Sequence, residues 1–193
     1  MELPMELRWP SPEELASYVD ALERGWSPNT MDARAGDREL EVIRTDAGRF
    51  LAAQDDRDGS GPPVTLPDGS VAERIPGFSK WMWDGEFCGR IGFRCLPGTE
   101  ALPPHVLGHV GYAVVPWRQR RGYATRALGL LLADIATEGL RWIEITTDPD
   151  NVASQRVIEA NGGQLLERFD YPSGYGRGTG LRYRIELHQG SDP

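Results

Sequence analysis

The stretch Val114-Val-Pro-Trp-Arg-Gln-Arg-Arg-Gly-Tyr-Ala-Thr-Arg-Ala-Leu128 decides how the rest of the chain is read. It holds four arginines (Arg118, Arg120, Arg121 and Arg126) and no acid, in a chain of 193 residues with formal charge −8 and isoelectric point near 4.9. It also stands where an apolar strand pattern ends and a helical one begins. Unpaired backbone amides and the positive end of a helix dipole coincide at such a junction, so an anion site is expected before any side chain is counted. Gly122 lets a ligand approach the main chain, and the small Ala124 keeps that approach open. Ala124, Leu128, Leu131, Leu132 and Ile135 then recur at three- and four-residue steps, burying one helix face and holding the amide-bearing end rigid. A nucleotide P-loop would need Gly-Lys-Ser/Thr after the turn, and a dinucleotide fingerprint three glycines; the stretch has neither. A basic face that merely meets water accounts for the arginines alone. It does not account for strand, Pro116, glycine turn and amphipathic helix together.

Composition bounds the rest. With 39% hydrophobic and 26% charged residues, the chain can bury one good-sized core but not two, so a single domain over 1–193 is expected. The acidic balance argues against a nucleic-acid binder, whose affinity comes from neutralising phosphates. The N-terminus has no basic region followed by an apolar core, and the apolar run Ala127 to Ile135, broken by Gly129 and Asp134, is far short of a membrane span. A cytoplasmic protein with no membrane contact is therefore expected. Cys88 and Cys95 share a strand in this reading. Their odd spacing puts them on opposite faces, roughly 23 Å apart at about 3.3 Å per residue, so they are read as structural thiols and not as a disulfide.

Along the chain, Glu6 to Trp9 reads as a short strand. A helix to about Arg24 follows, with Ser11, Pro12 and Glu14 as its capping box, and a second helix runs from Asp37 to about Ala53, weak between Thr45 and Gly48. Gln54 to Ser70, rich in proline and acids, reads as a loop on the substrate side. Phe78 to Trp83 and Phe87 to Leu96 form a hairpin around Asp84-Gly85. A strand from Leu107 to Val115, a helix from Gly122 to Glu138, a strand from Trp142 to Thr147 and a helix from Asn151 to Asn161 follow. The last strands are Gln164 to Phe169 and Leu181 to Leu187.

Within this order, Val114-Val115-Pro116-x-x-Gln119-x-x-Gly122-x-Ala124 resembles the pyrophosphate-binding motif of the GNAT (GCN5-related) N-acetyltransferases, Gln/Arg-x-x-Gly-x-Gly/Ala. Downstream, Asn151 to Gly163 resembles that family's later Asn-led helix ending in Glu-x-x-Gly. The element order is also similar over nearly the whole chain. The resemblance implies an α/β (α+β) GNAT fold, with a mixed, mostly antiparallel sheet of about seven strands, splayed central strands and about four helices. It implies an N-acetyltransferase that uses acetyl-coenzyme A and an amine-bearing acceptor, working as a monomer or homodimer. The amides of Gln119, Arg120, Arg121, Gly122, Tyr123, Ala124 and Thr125 would hold the coenzyme's diphosphate, with Arg118, Arg120 or Arg121 adding charge. The backbone of Val114 and Val115 would pair with the pantetheine arm, and Asn151 and Ser154 would contact the arm or the phosphates.

The amide near Val114 is the implied oxyanion donor. His109 stands where many relatives place a basic carboxylate, and Glu144, on the neighbouring strand, is the second candidate base. Ile158 stands where many members have the tyrosine that protonates the leaving thiolate, so Tyr123, Tyr171, Tyr175 or water would have to serve. His105 and His109 match His-x-x-x-His, but Pro103, Pro104 and Gly108 argue against a helix and no third ligand is in view, so no metal is expected. For the acceptor, Asp55, Asp56, Asp58 and Asp68 would attract a cation, whereas Arg177 and Arg182 would favour an acidic metabolite. The other reading is a non-catalytic acyl-coenzyme A-binding domain.

Overall fold

The computed structural model describes residues 5–66, 69–172, 175 and 178–187. The chain opens with strand β1 (Glu6–Arg8) and helix α1 (Leu15–Glu23). The helix starts later than the capping box suggests. Pro12 to Glu14 form a turn, with Leu15 N–H donating to Pro12 O at 3.4 Å, and no side chain caps the helix. The Glu14 carboxylate instead accepts from Arg8 on β1 at 2.5 Å. The expected second helix is two, α2 (Ala35–Thr45) and α3 (Ala47–Ala52). Asp46, extended at φ −156°, breaks the run, and its carboxylate accepts the Arg49 amide at 2.9 Å, so an aspartate able to cap has out-competed helix continuation.

The acidic segment after α3 is more ordered than a plain loop. It contributes β2 (Asp55–Asp56), which pairs with the next long strand, and a small hairpin of β3 (Val64–Thr65) and β4 (Val71–Ala72). Its described acids are engaged within the segment or by nearby residues. Asp55 pairs with Arg57 at 2.7 Å, Asp56 accepts the Gly61 amide at 3.0 Å beside Arg74, and Asp58 caps the Ser60 amide at 3.1 Å. Asp68 and Arg177 lie outside the described residues.

Strands β5 (Gly77–Trp83), β6 (Phe87–Arg94) and β7 (Val110–Val114) follow, then helix α4 (Tyr123–Asp134), strand β8 (Trp142–Thr147), helix α5 (Val152–Ala160) and strands β9 (Gln164–Asp170) and β10 (Thr179–Glu186). Among the described residues every ladder is antiparallel, and apart from the β3–β4 hairpin they form two half-sheets ordered β1-β5-β6-β7, with β2 also on β5, and β8-β10-β9. One core lies under α1 to α3, where Tyr18 stacks on Trp81 with ring centroids 4.7 Å apart and Trp26, Ile43, Phe50 and Phe87 close around them. The other lies under α4 and α5, where Leu128, Leu131, Ile135 and Ile158 meet Met82, Ile91, Ile143, Ile145 and Ile185. Cys88 is buried in this second core and Cys95 is half-buried; both are free thiols whose pKa burial pushes up.

The half-sheets meet at one place. His109 N–H donates to Glu144 O at 2.7 Å, and Glu144 N–H donates back to His109 Nδ1 at 2.9 Å. Gly108 makes this approach feasible, since a Cβ there would sit 3.0 Å from Glu144 O. Beyond His109 no ladder joins β7 to β8 among the described residues, and the space between them is a cleft.

Candidate active site

The backbone of β7 shows what the cleft offers. His109 O accepts the Arg94 amide and Val115 N–H donates to Cys88 O, both at 2.9 Å. Main-chain groups alternate sides along a strand, so the odd residues spend theirs on β6 and those of Val110, Tyr112 and Val114 face β8. The Val114 amide therefore points into the cleft, while its carbonyl accepts Gln119 Nε2 at 3.3 Å. After the short turn Pro116–Arg118, the chain takes left-handed geometry at Arg120 (φ 64°) and again at Gly122 (φ 77°) before α4 begins. Such alternation gathers successive amides into a concave nest.

Gly122 is the N-cap of α4 and no side chain caps the helix. The helix's own ladder starts with Arg126 N–H to Gly122 O at 3.0 Å, so no intrahelical carbonyl reaches the amides of Tyr123, Ala124 and Thr125. A Cβ added to Gly122 would meet nothing within 4 Å, so the space beside Gly122 is open. This geometry fits a diphosphate.

The arginines of the motif divide by task. Arg118 is spent on the β5–β6 turn, paired with Asp84 at 3.3 Å and with Glu86. Arg126 donates to Met5 O at 2.5 Å and ties α4 to the start of the chain. The expectation that Arg118 adds charge for the ligand is thus corrected: its acidic partners come from a turn more than thirty residues upstream. Arg120 is exposed on the nest. The Tyr123 hydroxyl donates to Asp84 in the β5–β6 turn.

On the other wall, Asn151 caps α5, its Oδ1 accepting the Ser154 amide at 3.1 Å. The Ser154 hydroxyl lies 2.8 Å from that of Tyr112, which reaches across from β7. Burial pushes the Tyr112 phenol up to about 12. Asn161 Nδ2 bonds both Thr125 O at 3.1 Å and Val157 O at 2.8 Å, locking α5 to the first turn of α4. Gly163 is required next to it, because a Cβ there would come within 2.3 Å of Ile158 Cγ2.

His109 and Glu144 are brought together, but not as free acid–base groups. The His109 ring is fully buried, and an accepting Nδ1 fixes the neutral tautomer with its proton on Nε2. Burial draws its pKa below the ordinary imidazole value. The Glu144 carboxylate is held from both sides, by Arg182 at 3.1 Å and Arg184 at 2.8 Å. His105 stands apart, its Nε2 at 3.1 Å from Glu73 O, and among the described residues no group of three or more metal-binding side chains is gathered.

The sequence matches the acetyltransferase (GNAT) domain family over residues 5–164. The chain belongs to the GNAT acetyltransferase family. GNAT domains use acetyl-coenzyme A. Solved structures of similar fold include the microcin C7 self-immunity acetyltransferase MccE in complex with acetyl-CoA and AMP, 12% identical over 95% of this chain and 92% of that one, with a TM-score of 0.62. The Salmonella typhimurium acetyltransferase that modifies the N-terminal serine of ribosomal protein L7/L12 is 15% identical over 97% and 100% of the two chains, at 0.62. Mycobacterium smegmatis RimJ in complex with CoA-disulfide is 20% identical over 94% and 81%, at 0.57. The sequence matches no curated protein.

Set in the GNAT frame, the open amides at Gly122, the inward Val114 amide and the Ser154 hydroxyl stand together around one cleft. Ile158, where many members carry a tyrosine, is a fully buried core residue, and no hydroxyl occupies its place. Two of the expected substitutes are committed elsewhere, Tyr171 to Asp148 at 2.6 Å and Tyr123 to Asp84; the Tyr175 hydroxyl lies on His105 O. Tyr112 was not singled out by sequence reasoning. The only signal for it was its even spacing from Val114, which puts both residues on the cleft side of one strand.

Proposed function

We propose that this protein is an acetyl-coenzyme A-dependent N-acetyltransferase that acts on a primary amine of a small molecule or of a protein, by direct attack. One observation carries the reading: the uncapped, open N-terminal end of α4 stands beside the inward-facing amide of Val114. The amides of Tyr123, Ala124 and Thr125, with Gly122 and the neighbouring residues of the nest, hold the diphosphate. The main chain of Val114 pairs with the extended pantetheine arm. Acetyl-coenzyme A supplies the acyl thioester; a C–N bond forms to the acceptor nitrogen as the C–S bond breaks. The Val114 N–H donates to the carbonyl oxygen as negative charge gathers on it. The Ser154 hydroxyl, backed by Tyr112, donates a hydrogen bond to the departing sulfur, and the thiolate takes its proton from water.

For the proton lost by the amine, the geometry favours water over either expected base. His109 is sealed in the sheet junction, and the Glu144 oxygens are engaged by two guanidinium groups. An α-amine has an ordinary pKa of about 7.7–8.0, so a sizeable fraction is already neutral at slightly alkaline pH and needs no strong base. The test is thiol release from acetyl-coenzyme A with a panel of amines, alongside calorimetric titration of the coenzyme. Turnover of an amine supports the reading; no heat of binding well above micromolar coenzyme overturns it. The buried Ile158 and the sealed His109 are what favour the second reading, a non-catalytic acyl-coenzyme A-binding domain, which predicts binding without turnover of any amine.

A further inference from the structure

The sheet face opposite α4 and α5 carries a feature the reaction above does not use. Gly92 on β6 and Gly111 on β7 are cross-strand partners, so two adjacent positions in the middle of the sheet have no side chain. Ser79 on β5 borders this bare floor, 3.1 Å from where a Gly92 Cβ would lie, and the guanidinium of Arg94 borders it on the other side, with one terminal nitrogen 3.7 Å from where a Gly111 Cβ would lie. Gly111 is exposed; Arg94 is exposed as a residue, while its guanidinium is partly buried beside Tyr175, and that burial lowers its pKa.

The cations around this face differ in their partners. Arg90 is paired with Glu39 at 3.0 Å, Arg182 with Glu144 at 3.1 Å and Glu167 at 2.9 Å, and Arg184 with Glu144 at 2.8 Å. Arg94 has no carboxylate partner among the described residues. Its Nε donates to Gly108 O at 2.8 Å, which orients the fork, and one terminal nitrogen lies toward the floor. In a chain of net charge −8, an oriented and unpaired guanidinium on a bare sheet face is an unusual arrangement.

We propose that Arg94 binds a carboxylate of the acceptor, and that the Gly92–Gly111 floor seats the segment between this carboxylate and the amine. This deepens the acetyltransferase reading and rests on it. The reach follows from the strand. Gly111 and Val114 are three residues apart, roughly 10 Å at about 3.3 Å per residue, so a carboxylate on Arg94 lies about three residues' length from the oxyanion donor. A free amino acid, whose carboxylate carbon is only two bonds from the amine nitrogen, is too short. An extended peptide N-terminus covers about 3.3–3.6 Å per residue and spans the distance with a negative charge at its third residue.

The experiment compares trialanine, which has a free carboxylate, with trialanine amide, and alanine with alaninamide as the short pair. Each is titrated calorimetrically into the full chain, both free and saturated with coenzyme A, and assayed for thiol release with acetyl-coenzyme A. The expected result is at least tenfold tighter binding and lower KM for trialanine than for its amide, as a charge-assisted bidentate contact gives, and no such preference in the short pair. R94Q brings the trialanine ratio to about one with coenzyme A affinity unchanged, and R94K, which keeps the charge but not the fork, retains part of it. Equal binding of trialanine and its amide to the wild-type chain, or a preference that survives R94Q, overturns the proposal. Failure of coenzyme A to bind the wild-type chain instead overturns the acetyltransferase reading, and the peptide titrations into the free chain then still decide on Arg94.

Discussion

Replacing His109 by alanine removes the side-chain rung where β7 meets β8. The Glu144 amide, which now donates to Nδ1 at 2.9 Å, is left buried without an acceptor, and a void replaces a fully buried ring. An orphaned buried donor costs about 1–3 kcal/mol, and with the cavity the total is about 2–5 kcal/mol. For a domain of this size each kcal/mol lowers Tm by about 2–4 °C, so differential scanning calorimetry of H109A is expected to show a fall of about 4–20 °C. H109N places an amide oxygen close to the position of Nδ1, accepts the same bond, and should recover most of the loss. Activity should follow stability: H109N keeps most of kcat/KM while H109A loses it. A Tm for H109A within about 1 °C of wild type would refute the structural role. So would an H109N variant with normal Tm and no turnover, which would return His109 to the role of base.

Further outcomes can be checked in parallel. His109 is held neutral with a depressed pKa, so the unfolded chain binds more protons than the folded one below the ordinary imidazole value of about 6.5; this contribution to stability is present above that pH and is lost as pH falls through the lower folded-state value, and H109N should flatten the Tm–pH profile there. R118Q should destabilise the fold by about 1–3 kcal/mol through the stranded Asp84 carboxylate while leaving coenzyme A affinity unchanged; R120Q should do the reverse, as read by chemical denaturation and calorimetry. I158Y should not gain activity, because a larger side chain with a hydroxyl is forced into a fully buried site at a cost of about 1–3 kcal/mol, measured as a lower denaturation midpoint. G163A should lose a similar amount, since its Cβ would fall 2.3 Å from Ile158 Cγ2.

What could be read along the chain was what local periodicity encodes. The amphipathic run after Gly122, the apolar alternation of the strands on either side of it and the Asn151 cap produced the right elements in the right order, because burial of one face is written at steps of two or of three and four. Asp46 escaped this reading: its capping bond competes with helix propensity inside one turn, and propensity alone does not show which wins. The site was legible at its main chain and less so at its side chains. In the proposed site Gly122 and Val114 would act through backbone amides, which the strand-to-helix junction positions whatever lies elsewhere. Arg118, His109 and Tyr112 depend on Asp84, Glu144 and Ser154, partners 34, 35 and 42 residues away whose proximity only the folded sheet creates. A cluster of arginines therefore looked like a single anion site when two of its members, Arg118 and Arg126, hold the fold together.

The central claim is that open main-chain donors at the start of α4 grip a diphosphate, and comparing coenzyme A with pantetheine tests it most directly. The two share the thiol-bearing arm, and only coenzyme A carries phosphate. Hydrogen bonds to a charged group are worth about 1.5–3 kcal/mol, so calorimetry is expected to find coenzyme A bound at least tenfold more tightly, with the difference shrinking as salt rises. Equal affinities for the two compounds would contradict the account.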